Sequence, residues 1–249
     1  GALSVKGELP GQVATVGPVV SLDYDQDGDL DLFVGGRVNP GRYPEPAISR
    51  LYRNDGGRFR LDLNNSRSFV ELGMVSGAIA SDLDGDGDSD LAVAVEWGPI
   101  RVWLNEAGVF VDATDRLGFS SYRGWWNGIA AGDFDEDGRI DLIASNWGRN
   151  TKYERYRTEP IRLSYGDIDS NETVETFEQV YDVASERWGS IRDLIVMGSA
   201  IPSLQTRTHS YREFAEKGLE WAFGPRLNEL GRFKVNWLAT TARCSSADP

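Results

Sequence analysis

The chain has 249 residues, 40% of them apolar and 11% aromatic, enough for a substantial core and too varied for a disordered or low-complexity segment. Its net charge of −13, from 39 acidic against 26 basic residues, excludes the basic surface that nucleic-acid phosphates require. No stretch reaches the roughly 18 consecutive apolar residues of a membrane-spanning helix, and the opening GALSVKGELPG has no signal-peptide core.

The first element is an apolar run, PVVSL, which reads as a strand and leads into the acidic decapeptide DYDQDGDLDL from Asp23. A second run, DLFV, follows it. The same design returns as DLDGDGDSDL from Asp82, between GAIAS and DLAVAV, and as DFDEDGRIDL from Asp133, between GIAAG and DLIAS. Each copy has carboxylates at positions 1, 3, 5 and 9, glycine at 6 and leucine at 10, so the unit is strand, acidic loop, strand.

Crowding carboxylates this tightly is costly, since two charges about 5 Å apart repel by roughly 3 kcal/mol at an effective dielectric near 20. A hard cation with six to eight oxygen ligands offsets that, and Ca²⁺ suits such a shell better than Mg²⁺, which keeps its waters. The reading is three Ca²⁺ sites. In loop 1, Asp23, Asp25, Asp27 and Asp31 supply side-chain oxygens, Asp29 a backbone carbonyl, and Gly28 the bend. In loop 2 the corresponding residues are Asp82, Asp84, Asp86 and Asp90, with the carbonyl of Asp88 and the bend at Gly87. Loop 3 uses Asp133, Asp135, Asp137 and Asp141, the carbonyl of Arg139 and Gly138; a position that gives only its backbone tolerates arginine. An EF-hand would need glutamate at position 12, where this chain has Val34, Val93 and Ala144.

Between loops, a Gly- and Pro-rich connector at residues 35–46 precedes ISRLYRN, the turn NDGG and RFRLDL; after loop 2 come a WGP turn, IRVWLN, the turn EAG and VFVDAT. LYRNDGGRF and VWLNEAGVF are one phrase, so each repeat holds four short strands and recurs every 50 to 60 residues or so, the spacing of a propeller blade.

From about Gly17 to about Glu178 the repeats resemble FG-GAP/VCBS repeats, the blades of integrin-α-type β-propellers, whose calcium loops follow D-x-D-x-D-G-x-x-D-L. The later stretch NWGRNTKYERYRTEPIRLSYGDIDSNETVET is similar to propellers of the UnbV/ASPIC group, related to cartilage acidic protein. The resemblance implies an extracellular or cell-envelope propeller for adhesion, binding or assembly. The expected fold is mainly β, a partial propeller of four-stranded calcium-loop blades with an α-helical segment. Because propellers close with four to eight blades, the chain reads as an arc of a larger ring whose remaining blades lie outside it.

A fourth loop, DIDSNETVE from Asp167, keeps Asp167, Asp169 and Asn171 at positions 1, 3 and 5, Thr173 at 7 and Glu175 at 9. It has Glu172 where the bend glycine stood and begins too soon after Asp133 for a complete blade. It reads either as a degenerate ion site or as a polar turn.

From Trp188 the period becomes helical: Ile191, Leu194, Ile195 and Gly198 share a face until Pro202. A second helix starts at Ser210, which forms a capping box with Glu213 and leads a stripe of Tyr211, Phe214, Gly218 and Trp221. The organisation is therefore blades over 1–187, a helical insertion over 188–232 and a resumed strand over 233–249. Cys244 is a lone thiol, and His209 stands at a helix start without a catalytic partner. With no nucleophile elbow, P-loop or H-E-x-x-H motif, and with the carboxylates given to calcium, the chain reads as non-catalytic.

Trp125, Trp126, Trp147 and Arg149 near loop 3, and Trp97 in the second repeat, either wedge between blades or form a platform for a saccharide or cationic peptide. Three functions follow: a calcium-stabilised adhesion or binding scaffold, a carbohydrate-binding module, or a non-catalytic domain of a secreted enzyme. The expected partners are a protein or a saccharide, outside the cytosol.

Overall fold

The computed structural model describes residue 9 and residues 14–156, 158–208 and 210–243, so His209 and Cys244 lie outside the described residues. Loop 1 turns β1 (Val16–Leu22) antiparallel into β2 (Asp31–Gly36); β3 (Arg50–Asn54) and β4 (Phe59–Leu61) complete a meander, the first blade. A short helix α1 (Leu63–Arg67) follows, capped by Asp62, whose side chain accepts from the N–H groups of Asn64 and Asn65. The second blade repeats the pattern with β5 (Met74–Ser81), β6 (Asp90–Gly98), β7 (Arg101–Glu106) and β8 (Val109–Asp112). Between β7 and β8, Ala107 and Gly108 both have positive φ, the twist a two-residue hairpin turn needs.

The third blade starts with β9 (Gly124–Gly132), whose first residues also pair with the end of β6 and join the two blades in one sheet, and β10 (Asp141–Asn146), and there the chain leaves it. A separate sheet forms from β11 (Ile161–Gly166), β12 (Glu175–Asp182) and β13 (Arg187–Ser190). Helices α2 (Leu194–Ala200), α3 (Ser203–Arg207) and α4 (Tyr211–Phe223) follow, then β14 (Gly231–Val235), which pairs with β11. Only then does β15 (Thr241–Arg243) pair with β10. The molecule is thus a partial propeller, with an excursion carrying the sheet β13-β12-β11-β14 inserted into its third blade.

This arrangement differs from the expectation in several ways. The strand expected to resume the blade from 233 is β14 of the excursion sheet, paired with β11, and the blade resumes only at β15. Residues 187–190 are the edge strand β13, so the helical segment begins after 190, not at 188. The fourth acidic loop joins β11 to β12 inside the excursion, which explains why it comes too early for the next blade. Of the expected stripe, Phe214 and Gly218 are buried and Tyr211 and Trp221 exposed; Gly218, with φ 72°, breaks α4, and beyond it Leu219, Ala222 and Phe223 take the buried face. On α2, Leu194, Met197 and Gly198 are buried and Ile195 faces solvent. Ser210 does cap α4, its Oγ accepting from Glu213 N at 3.1 Å.

Alternation along the strands decides how blades stack. On β6, Leu91, Val93 and Val95 join Phe33, Leu51, Val75 and Trp103 in the core between blades 1 and 2. Ala92 and Ala94, on the other face, pack with Leu142, Ala144 and Trp126 against blade 3. The segment after α1 delivers Phe69, fully buried, edge-on between Phe33 at 5.3 Å and Trp103 at 5.2 Å. At the inner strands the approach is closer still: a Cβ on Gly77 would lie 2.8 Å from the Cα of Gly128, so only glycine fits. Beside it, Ser76 Oγ donates to the carbonyl of Trp126 at 2.6 Å.

Candidate metal centres

All four acidic loops share one backbone trace. Positions 4 and 6 are left-handed in every copy: Gln26 and Gly28, Gly85 and Gly87, Glu136 and Gly138, Ser170 and Glu172. The carboxylate at position 1 holds that trace by accepting N–H groups from positions 5 and 6. Asp23 accepts from Asp27 and Gly28, both at 3.1 Å; Asp82 from Asp86 and Gly87, both at 3.1 Å. Asp133 accepts from Asp137 at 3.0 Å and Gly138 at 2.9 Å, and Asp167 from Asn171 and Glu172, both at 2.9 Å. The fourth loop therefore makes the bend without glycine, with Glu172 at φ 66° at a cost of about 1 kcal/mol.

Folding in this way turns carboxylate oxygens toward one point. Ligand atoms of Asp23, Asp25 and Asp27 lie within 4.8 Å of one another, as do those of Asp82, Asp84 and Asp86, of Asp133, Asp135 and Asp141, and of Asp167, Asp169 and Glu175. Asp137 Oδ1 accepts from Arg139 N at 2.9 Å, and Asn171 Oδ1 from Thr173 N at 2.7 Å. A specific fit for a cation comes from Asp25 Oδ1 and Asp169 Oδ1, at position 3 of loops 1 and 4. Each is shut from solvent without a hydrogen-bond donor, a costly place for a carboxylate oxygen unless a positive charge faces it. Hard carboxylate and carbonyl oxygens in this number suit Ca²⁺.

Position 9 has a different first task. Asp31 accepts from Tyr24 N at 3.2 Å and Asn54 N at 2.7 Å, and Asp90 from Leu83 N at 2.7 Å and Asn105 N at 2.8 Å. Each ties the loop to the third strand of its blade. Asp141 and Glu175 do part of this, accepting from Phe134 N at 2.9 Å and Ile168 N at 2.8 Å. All four are buried. Burial is the main reason the carboxyl of Asp90 is pushed up to about 6, with Asp84 and Asp86 adding to it and the two N–H donors opposing. Burial likewise raises Asp31 and Glu175.

Asn54 and Asn105 went unassigned in the sequence, although the shared phrase around them was visible. The side chains at position 7 also do more than stand aside: Asp29 Oδ2 accepts from Gly56 N at 2.8 Å and Asp88 Oδ2 from Ala107 N at 3.2 Å, pinning the hairpin turn of each blade. Arginine fits this position in loop 3 because β10 runs into the excursion and not into a hairpin. In loop 1, Arg53 on β3 reaches Asp25 Oδ2 at 3.0 Å and Asp27 Oδ2 at 3.7 Å. The corresponding residue of blade 2 is Leu104.

The tryptophans lie elsewhere. Trp125 and Trp126 open β9 and Trp147 follows β10, so both strands place them at the end away from loop 3. Trp97, Trp125, Trp147 and Tyr153 stack in file, with ring centroids 4.7, 4.0 and 4.9 Å apart. Trp97 and Trp126 are 1% exposed, and Trp97 Nε1 donates to Tyr43 Oη at 2.9 Å. Of these candidates for a platform, Trp147 and Arg149 are exposed, and Arg149 is held by Glu154 at 2.7 Å. The file packs the excursion against the blades. A cleft of about 540 Å³ lies between β13 and α4, with Tyr156, Trp188, Tyr211, Arg192 and Asp193 among its walls.

No helix among the described residues is long and apolar enough to cross a membrane. Residues 82–144, which run from loop 2 to the middle of β10, match the family model described as an FG-GAP-like repeat. No curated protein matches the chain.

Proposed function

Starting from the FG-GAP-type repeat that this chain carries at residues 82–144, we propose that it is a calcium-binding, non-catalytic β-propeller module of the extracellular space or cell envelope. It acts as an adhesion or ligand-binding scaffold. The observation that carries this reading is the shared loop trace, which buries Asp25 Oδ1 and Asp169 Oδ1 without a donor. Asp23, Asp25 and Asp27 would hold Ca²⁺ in loop 1; Asp82, Asp84 and Asp86 in loop 2; Asp133, Asp135 and Asp141 in loop 3; Asp167, Asp169 and Glu175 in loop 4. Carbonyls of Asp29, Asp88, Arg139 and Thr173 would complete the shells.

The ion supplies charge neutralisation, and the chain supplies the bends and N–H donors that fix the oxygens in place. Extracellular modules bind calcium at roughly 10⁻⁴ to 10⁻³ M, so loops this exposed fill outside the cytosol. The cleft between β13 and α4, with aromatic and charged walls, is where a protein or saccharide ligand would find specific contacts.

Thermal unfolding in 5 mM Ca²⁺, in EGTA and in Mg²⁺ tests the reading. Each site filled only in the folded state adds about 2.7 kcal/mol at a hundredfold excess over Kd. A large calcium-specific rise in Tm is expected. No rise, or an equal rise with Mg²⁺, would remove the calcium assignment.

A further inference from the structure

Loops 1 and 2 are not independent in this fold. Asn105, at the end of β7 and 1% exposed, makes three bonds at once. Its N–H donates to Asp90 Oδ1 in loop 2 at 2.8 Å, and its Oδ1 accepts from Gly108 N in the hairpin turn at 2.8 Å. Its Nδ2 donates at 2.8 Å to the carbonyl of Tyr24, which lies between Asp23 and Asp25 of loop 1. The equivalent Asn54 of blade 1 makes the first two bonds but sends its Nδ2 to Leu30 O in its own loop at 3.0 Å.

Two further links follow the same path. Gln26 Nε2, from left-handed position 4 of loop 1, donates to Asp88 Oδ1 of loop 2, whose other oxygen holds Ala107 N. Tyr24 Oη donates to Asp62 at 2.8 Å; Asn65 Nδ2 donates to the same oxygen at 2.8 Å and to Gly108 O at 3.0 Å. The residue between the first two ligands of loop 1 is thus fixed to the blade 2 hairpin through both its carbonyl and its hydroxyl. Among the described residues, blade 3 brings no such hairpin onto loop 2, because β10 leads into the excursion.

We infer that loops 1 and 2 bind calcium as a coupled pair, with Asn105 as the positioning residue between them and loop 3 outside the coupling; this rests on the calcium reading above. Ordering Asp88 and Asp90 around an ion in loop 2 fixes the hairpin, and the hairpin fixes the backbone of loop 1. The second ion then meets a loop already ordered and binds more tightly, by the reciprocal logic of linked sites.

The position-6 glycines are site-resolved reporters, since the amides of Gly28, Gly87 and Gly138 donate to the leading aspartate of loops 1, 2 and 3. Calcium titrations of the full chain, followed at these amides by ¹H–¹⁵N NMR, read each loop separately. Asp84→Asn in loop 2 should raise the midpoint at Gly28 by about 5-fold or more, the usual lower range of coupled sites, and that at Gly138 by less than about 2-fold. Adding Gln26→Ala, a surface change, should shrink the effect at Gly28, and Asn105→Ser should shrink it further. A Gly28 midpoint that ignores Asp84→Asn while calcium still binds would overturn the coupling. If none of the three amides responds to calcium, the calcium reading falls, and the coupling with it.

Discussion

Replacing Phe69 by alanine is the sharpest probe of how the blades are held together. Phe69 has no exposed surface and touches three rings: Phe33 at 5.3 Å, Trp103 at 5.2 Å and Phe110 at 5.9 Å. Buried Phe→Ala changes cost about 3–5 kcal/mol from lost transfer energy and the remaining cavity. Edge-to-face partners add about 0.5–1.5 kcal/mol per pair beyond area, which places this site near the top of that range. For a chain of this size about 4 kcal/mol lowers Tm by roughly 10–15 °C. Urea unfolding in saturating calcium measures the loss, and Phe119→Ala is the internal comparison. Phe119 holds the matching place between blades 2 and 3 but is only partly buried, with Arg243 over its ring at 4.8 Å. Its removal should cost about half as much. A Phe69→Ala loss below about 1.5 kcal/mol, or equal losses at the two sites, would mean the aromatic wedge does not join the blades.

Arg53→Gln removes a guanidinium that competes with a cation for Asp25 and Asp27. An exposed pair of this kind competes only weakly, so calcium affinity at the Gly28 reporter should rise by roughly 2- to 5-fold; a fall would contradict the geometry. Glu172→Gly relieves a left-handed glutamate and should stabilise the fold by up to about 1 kcal/mol in urea melts, while unchanged or lower stability would show that the bend carries no strain. Asp112 is buried enough to raise its pKa, but the hydroxyl and N–H of Thr114 and the guanidinium of Arg101 outweigh that and hold it below the usual range. Its stabilising effect is present above about pH 4 and is lost as pH falls through the lowered value. Asp112→Asn should therefore cost up to about 1 kcal/mol at pH 7 in metal-free buffer, and urea midpoints of the two proteins should converge at the acid end of this titration. A gap that persists there would assign the effect to packing.

The loops were legible because a backbone trace that turns carboxylates toward one point demands acidic residues at fixed intervals, and glycine at position 6 marks the bend. Position 4 was not, because Gln26, Glu136 and Ser170 reach the left-handed region without a glycine to signal it. The fourth loop looked broken for the converse reason: Glu172 makes the same bend that sequence assigns to glycine. Asn54 and Asn105 stood in a repeated phrase, but their partners are 23 and 81 residues away along the chain, beyond any local pattern. The phase of α4 beyond Gly218 was lost because a break there shifts the buried face to Leu219, Ala222 and Phe223. The helical part of the excursion was legible but its sheet was not, because β11 and β12 flank an acidic loop as blade strands do, and only the return pairing of β15 with β10 reveals where the blade resumes.

Where the chain leaves blade 3 and where it comes back are neighbours. Asn146 Nδ2 donates to the carbonyl of Trp237 at 2.9 Å across 91 residues of sequence, and Gly148 N donates to Leu238 O at 2.8 Å. A segment whose two ends are clasped in this way can be exchanged for a short turn without dragging on its host, the geometry that lets one domain be spliced into another. The intervening sheet and helices are then free to diverge in sequence and shape while the blades keep theirs. The same clasp also carries an entropic cost: joining β15 to β10 closes a loop of about ninety residues, far longer than the turns that join the other strands of the blades.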